Sequence, residues 1–166
     1  MPEVLIIGAG PAGLAAALQL KRRGVDFVLF ERQRVGGLLN NANLVENYPG
    51  FPGGIEGEKL VELFQLQVTS LGVEFSYEDV RRLDYIDGQF RAETRRATHL
   101  APVAVIASGT IGNTPQDLPT PLALRERVLT EIMPIKQVSG KQVAIIGGGD
   151  LAFDYALNLG RSNNVL

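Results

Sequence analysis

The chain has 166 residues, 45% hydrophobic and 20% charged, which is enough to bury one good core but not two complete domains. Its 16 basic and 18 acidic side chains are interleaved and leave a net charge of -2, so no basic stripe exists to neutralise nucleic-acid phosphates or anionic lipid. It contains no cysteine, which removes disulfides, thiolate metal sites and cysteine nucleophiles together. No stretch reaches membrane-spanning length, and the apolar run Val4 to Ile7 is too short for a signal-peptide core. The expectations are therefore no nucleic acid, no membrane and, by default, a cytoplasmic compartment.

In chain order, Glu3 to Ile7 reads as a strand rich in β-branched residues that ends at Gly8, and Pro11 to Arg23 reads as a helix with apolar Leu14, Ala17 and Leu18. Lys21, Arg22 and Arg23 complement the helix C-terminus, Gly24 closes it, and Val25 to Phe30 is the next strand. From Gly36 to Gly57 the chain is rich in Gly, Asn and Pro and lacks a period, which predicts a long functional loop. A helix is predicted from Glu58 to Leu71, with Leu60, Leu63, Phe64, Val68 and Leu71 at helical spacing and Gly72 after it. Short strands follow, with a hairpin turn at Asp87-Gly88 and a buried strand from Val103 to Ile106 that leads into Ala107-Ser108-Gly109.

Pro115, Pro119 and Pro121 mark a crossover between Thr110 and Leu122. After it come a short helix near Leu122 to Leu129, a strand from Gln142 to Ile146, a turn over Gly147 to Asp150 and a helix from Leu151 to Gly160. Val165-Leu166 looks like the start of one more strand, left unpaired, and the expectation is a truncated chain. The fold class is α/β, a Rossmann-like dinucleotide-binding fold with a small antiparallel β insertion and a second Rossmann unit begun but incomplete. The expected division is residues 1–111 and residues 112–166.

Two glycine turns carry the chemistry. Gly8-Ala9-Gly10-Pro11-Ala12-Gly13 is a G-x-G-x-x-G between a strand and a helix. Gly8 permits the tight turn, Gly10 lets the backbone approach a pyrophosphate, and Gly13 lets the helix pack on its strand. The pyrophosphate lies at the helix N-terminus, where unpaired N–H groups and the macrodipole favour negative charge. Glu31, followed by Arg32, ends the second strand at the distance where an acid meets ribose hydroxyls. Gly147-Gly148-Gly149-Asp150-Leu151-Ala152 is a G-x-G-x-x-A variant in the same setting, and the strand that would choose between NAD and NADP lies beyond Leu166. A Gly-rich helix entry without a ligand is the competing reading of this second turn.

The run Val45-Glu46-Asn47-Tyr48-Pro49-Gly50-Phe51-Pro52 resembles the flavin-proximal loop of thioredoxin reductases, and Gly36-Gly37-Leu38-Leu39 is similar to that family's Gly-Gly-Gln-Leu segment. Ala107-Ser108-Gly109-Thr110 is similar to its Ala-Thr-Gly-Ala, and Gly147 to Ala152 to its nucleotide turn. The resemblance implies FAD on Gly8 to Gly13, Glu31 on the ribose, Gly36 to Leu39 beside the flavin, and Asn47 hydrogen-bonded near the isoalloxazine. It also implies the Val80 backbone at the adenine, Ala107 to Gly109 closing the domain's first stretch, and NAD(P)H at Gly147, Gly149, Asp150 and Ala152. The alternative reading of Asn47 is a turn-stabilising side chain beside Pro and Gly. A homodimer is what the family suggests.

The chain departs from the family pattern at Thr130-Glu131-Ile132-Met133, the place of the redox Cys-x-x-Cys pair, where no side chain can cycle as a disulfide. It also lacks the family's return to the FAD domain, with its Gly-Asp motif. The function these features imply is a cysteine-free flavoprotein that passes hydride from NAD(P)H to FAD and electrons to an external acceptor, a small protein such as ferredoxin or flavodoxin, or a small molecule. The alternative is a nucleotide-binding module or fragment without turnover. No residue stands out as acid, base, nucleophile or metal ligand. His99, Arg91, Arg95 and Arg96 read as surface residues, Asp150 as a first-turn acid, and Tyr48 and Phe51 as aromatics that pin a loop.

Overall fold

Alternation within four residues sets the layers of the first unit. Val4 and Ile6 point to one face of a sheet and Leu5 to the other, and all three are buried, as an interior parallel strand requires. The computed structural model describes residues 1–111 and 119–166, and contacts divide it into Met1–Asn40 with Glu58–Gly109, and Asn41–Gly57 with Thr110–Leu166. Pro115 and the rest of the crossover from Gly112 to Leu118, where the second expected segment begins, lie outside the described residues.

In the first unit, β1 (Val4–Ile7), β2 (Phe27–Phe30), β3 (Phe75–Ser76) and β7 (Val103–Ile106) form a parallel sheet in the order β3-β2-β1-β7. α1 (Pro11–Arg22) and α2 (Gly57–Thr69) supply Leu14, Ala17 and Val68 to a core with Val4, Ile6 and Leu29. On the opposite face Leu5 and Phe30 pack with Ala92 and Ala101 of an antiparallel sheet, β4 (Arg82–Ile86), β5 (Gln89–Glu93) and β6 (Thr98–Ala101). Each fully buried leucine or isoleucine contributes about 1.5–3 kcal/mol by removal from water. The β4–β5 connection is the expected Asp87-Gly88 turn, with φ of 51° and 80°, the paired left-handed geometry of a type I′ hairpin.

Several expectations need correction. β7 is an edge strand here, with Val103 48% and Ile106 69% exposed, rather than a buried one, because among the described residues β1 is its only neighbour in the sheet. α2 stops at Thr69, where the Thr69 and Ser70 hydroxyls donate back to the Gln65 and Gln67 carbonyls, and its buried face runs through Leu60, Val61 and Val68, leaving Leu63 and Leu71 exposed. The loop after Gly36 holds a 3₁₀ turn over Gly37–Asn41 and an antiparallel bridge between Val45 and Ile55.

The second unit has its own small core of Ile132, Tyr155 and Leu159, flanked by Ile135, Val143, Ile145 and Val165. The helix expected near Leu122 is a 3₁₀ segment, Leu122–Arg127, too short to repay α-helix nucleation and without a buried residue. The strand expected over Gln142 to Ile146 is reduced to β8 (Gln142–Val143), since its partner β9 (Asn164–Val165) is equally short. The chain's last strand is thus paired, in parallel, rather than an unpaired stub. α3 (Asp150–Leu159) lies between them in sequence, with Tyr155 and Leu159 buried.

Candidate functional site

The C-terminal ends of β1, β2 and β7 bring four separated segments to one place. Gly8 has φ +103°, and a Cβ there would strike the Ala107 carbonyl; its N–H donates to Phe30 O at 2.9 Å. A Cβ on Gly13 would run into the Gly8 carbonyl oxygen, so strand and helix are closed onto each other at contact distance. Ala107 N–H donates to Ile7 O at 2.9 Å, which sets Ala107 and Ser108 as the floor of the turn. Gly10 differs: a Cβ there would meet nothing within 4 Å. α1 starts at this open glycine with Pro11 at its first position and no side-chain cap, so first-turn amides such as those of Ala12 and Gly13 face an anion-compatible opening.

Glu31 is buried, and its carboxylate ties the site together. Oε2 accepts from Ala9 N–H at 3.0 Å, and Oε1 accepts from Gln33 and Arg34 N–H at 2.8 and 3.2 Å. Sequence reasoning foresaw an acid here but not this bracing of the turn. Gly36 N–H donates to Ala9 O at 2.8 Å, and Gly36 sits so tightly on Val61 that no side chain fits. Gly37 faces Gly10, at 3.8 Å from the position of an added Cβ to the Gly10 Cα. Asn40, 1% exposed, donates through Nδ2 to the Val35 and Gly37 carbonyls and fixes this second loop. Its only sequence signal was an amide residue closing a Gly-rich run. Arg32 and Leu38 are exposed, and Leu39 is half-buried.

In the second unit, Gly147 has φ +147°, and Gly148 and Gly149 have open space where a Cβ would stand. α3 begins at Gly149 without a side-chain cap, and Asp150 is the acid of its first turn. Ala152 lies 3.5 Å from the Cβ position of Gly147, an ordinary contact that explains why alanine suffices at this third place. Further along α3, Asp154 accepts from Asn43 N–H, and Asn158 Nδ2 donates to the Asn41 carbonyl. Neither residue was singled out from sequence, because a polar helix face reads as solvated. At the place of the missing cysteine pair, Ile132 is a core residue and Met133 N–H donates to Asn41 Oδ1 at 3.1 Å.

The remaining sequence candidates scatter. Asn47 is exposed and belongs to the segment grouped with the second unit. Tyr48 and Phe51 lie against each other at a tilt, with ring centroids 6.4 Å apart. Val80 packs its side chain toward Leu5 and Phe30, four residues beyond Ser76, whose carbonyl accepts from Glu31 N–H. Ser108 and Gly109 are exposed. Arg91, Arg95 and Arg96 are exposed as expected, Arg91 pairing with Glu93 at 2.9 Å. His99 is half-buried rather than exposed: it packs edge-on against Phe30 at 4.9 Å, and its Nε2 is 3.6 Å from Glu78 Oε2, beyond hydrogen-bond reach. Among the described residues no group of acids and histidines could hold a metal ion, and no helix is long and apolar enough to cross a membrane.

Comparison with known proteins agrees with this geometry. The family described as pyridine nucleotide-disulphide oxidoreductase matches residues 2–164. A bifunctional thioredoxin reductase/thioredoxin of Mycobacterium leprae is 35% identical over 96% of this chain and 35% of its own length. A thioredoxin reductase of Pneumocystis carinii is 33% identical over 96% of this chain and 52% of its own. The crystal structure of Lactococcus lactis thioredoxin reductase in its FR conformation superposes with a TM-score of 0.87 at 30% identity, covering 99% of this chain and 55% of that one. The chain spans about half the length, or less, of the curated relatives it matches. With the match running through both glycine turns, the chain belongs to the pyridine nucleotide-disulphide oxidoreductase family.

Proposed function

We propose that this chain supplies the FAD-binding unit, and the opening of the NAD(P)-binding unit, of a flavoprotein that oxidises NAD(P)H and delivers the electrons to an external acceptor. The observation that carries this reading is the first turn, closed everywhere except at Gly10, where the backbone is bare and the helix amides are uncapped. On this reading Gly8, Gly10, Pro11, Ala12 and Gly13 hold the FAD pyrophosphate. Glu31 has about four lone-pair sites; backbone amides use three, and the one left on Oε2 suits a single ribose hydroxyl.

Arg32 would stand beside that ribose, Val80 would offer its backbone to the adenine, and Gly36 to Leu39 would lie along the flavin; Asn47 is the further flavin contact that the family resemblance suggests. Ala107, Ser108 and Gly109 close the turn from below. Gly147, Gly149, Asp150 and Ala152 receive NAD(P)H at the N-terminus of α3. FAD held by these residues would supply the redox chemistry, accepting hydride from NAD(P)H. This chain's own residues bind and orient, and none acts as acid, base or nucleophile.

The 166 residues contain no cysteine, and the site of the family's dithiol is occupied in part by a core isoleucine, Ile132. No dithiol in this segment can relay the electrons, so the acceptor we propose is external, a small protein of the ferredoxin or flavodoxin kind or a small molecule, and the proposed assembly is a homodimer. The test is a visible absorption spectrum of the purified protein, repeated without oxygen after addition of NADH and then NADPH. A flavin spectrum that bleaches supports the proposal. Bound flavin that does not bleach favours a nucleotide-binding module without turnover, and failure to take up added FAD overturns the assignment of the first turn.

A further inference from the structure

One helix of the second unit is open at its start and hydrogen-bonded through side chains further along. α3 starts at the open, uncapped Gly148-Gly149 entry. One turn further on, Asp154 accepts from Asn43 N–H with Oδ1 at 3.2 Å and Oδ2 at 3.0 Å. Asn158, four residues later and so on the same face, donates from Nδ2 to the Asn41 carbonyl at 3.2 Å. Asn41 is 1% exposed, and its Oδ1 accepts from Met133 N–H. Among the described residues the apolar cluster of this unit contains none of Asn41–Gly57, so hydrogen bonds, two to α3 side chains and one from Met133, hold the start of that segment. Such bonds are directional and exchange readily with water, which makes the attachment sensitive to small displacements of the helix.

We propose that α3 couples nucleotide binding to the Asn41–Asn47 segment: a dinucleotide held at the Gly147–Asp150 turn fixes the helix, and Asp154 and Asn158, as positioning residues, pass that constraint to Asn43 and Asn41. The coupling rests on reading the second turn as an NAD(P) site. A helix of 10 residues is about 15 Å long and moves as a rod, so fixing its first turn fixes the face that carries Asp154 and Asn158. Linkage makes the effect reciprocal: a segment locked onto α3 tightens nucleotide binding. Asn47, the candidate flavin contact, lies four residues beyond Asn43, so the constraint is delivered next to it along the chain.

Amide hydrogen exchange of the full chain tests this, with saturating NAD⁺ or NADP⁺ so that no flavin is reduced. In the unaltered protein the nucleotide should slow exchange of the Asn43 amide about fivefold or more. The Asp154→Ala, Asn158→Ala double variant should exchange fast with or without nucleotide while calorimetry still detects binding. Asp154→Asn keeps one acceptor oxygen and should retain the slowing, which separates positioning from simple loss of fold. Nucleotide that binds without changing exchange over Asn41–Asn47, or slowing that persists in the double variant, overturns the coupling. If calorimetry finds no binding of either nucleotide, the assignment of the second turn fails and the coupling with it, whereas the flavin spectrum reports on the first turn alone.

Discussion

The chain builds strand, glycine turn and helix twice, and the two turns differ in how tightly the backbone is closed. In the first, Gly13 leaves no space for a methyl group beside the Gly8 carbonyl, and Ala107, Ser108, Glu31 and Gly36 buttress the turn from three other segments. In the second, Ala152 takes the third place at ordinary contact distance, and Gly147 to Leu151 are exposed. Neighbouring strands account for the contrast. β1 has β2 and β7 on either side, whereas among the described residues β8 pairs only with β9, over two residues. The glycine pattern states which backbone angles are needed, and the surrounding sheet decides how much pressure falls on them.

The largest effect should come from Gly13→Ala. Its methyl forces the turn open, and overpacking of this kind costs about 1–3 kcal/mol, more where backbone must move. Thermal unfolding should shift down markedly and FAD retention should fall. The mirror change, Ala152→Gly, should cost about 1 kcal/mol of helix propensity and leave the first unit untouched. Equal shifts in the two variants would break the comparison. Next in size is Glu31→Ala, which strips acceptors from three backbone amides, the Ala9 amide being fully buried, at about 1–3 kcal/mol for that group alone. A melting temperature unchanged by Glu31→Ala would show that the carboxylate does not brace the turn.

Much of this contrast was legible in the sequence, and the exceptions have physical causes. Both turns, the Asp87-Gly88 hairpin and the strand–helix order could be read because each depends on local backbone chemistry. The edge position of β7 could not be, since Val103 to Ile106 has the same apolar pattern whether it has one neighbour or two. Asp154 and Asn158 were invisible for a related reason: their partners Asn43 and Asn41 are more than 100 residues away in the chain, and nothing local marks a polar helix face as paired. Glu31 could be read as an acid ending the second strand, but its three backbone partners follow from the packing of Ala9 and Gly36 and not from spacing.

A smaller pair of changes sharpens the comparison by separating stability from binding. Gly10→Ala and Gly149→Ala both place a methyl group in open space, at backbone angles that alanine adopts, so each should alter stability by no more than about 0.5 kcal/mol. Gly10→Ala should nonetheless lose flavin, because the methyl occupies the approach to the uncapped helix. Gly149→Ala should keep flavin and lose the response to NAD(P)H. Titration of FAD and of each nicotinamide nucleotide into both variants would show whether the two turns serve different ligands. A Gly10→Ala protein that binds FAD normally would remove the pyrophosphate from that turn.

Mild acid offers the gentlest way to loosen the first turn alone. Glu31 N–H donates to the Ser76 carbonyl at 2.9 Å, the Ser76 hydroxyl donates to Glu78 Oε1 at 2.9 Å, and the Thr94 hydroxyl donates to Glu78 Oε2 at 2.6 Å. The Thr94 hydrogen bond first, and the Ser76 bond second, hold the Glu78 carboxyl below its ordinary value of 4.5, against the opposing pull of burial and with help from His99. A carboxyl lowered in the folded state stabilises the protein above its unfolded value, and that contribution disappears as pH falls through 4.5 toward the folded value. Glu78→Gln removes the titrating group, so its unfolding midpoint should fall less than that of the unaltered protein between neutral pH and a pH just below 4.5. Because the group lies two hydrogen bonds from Glu31, the acid loss should extend to FAD affinity while leaving exchange over Gly147–Ala152 unchanged. An identical acid slope with and without the carboxyl would disconnect Glu78 from the bracing of the turn.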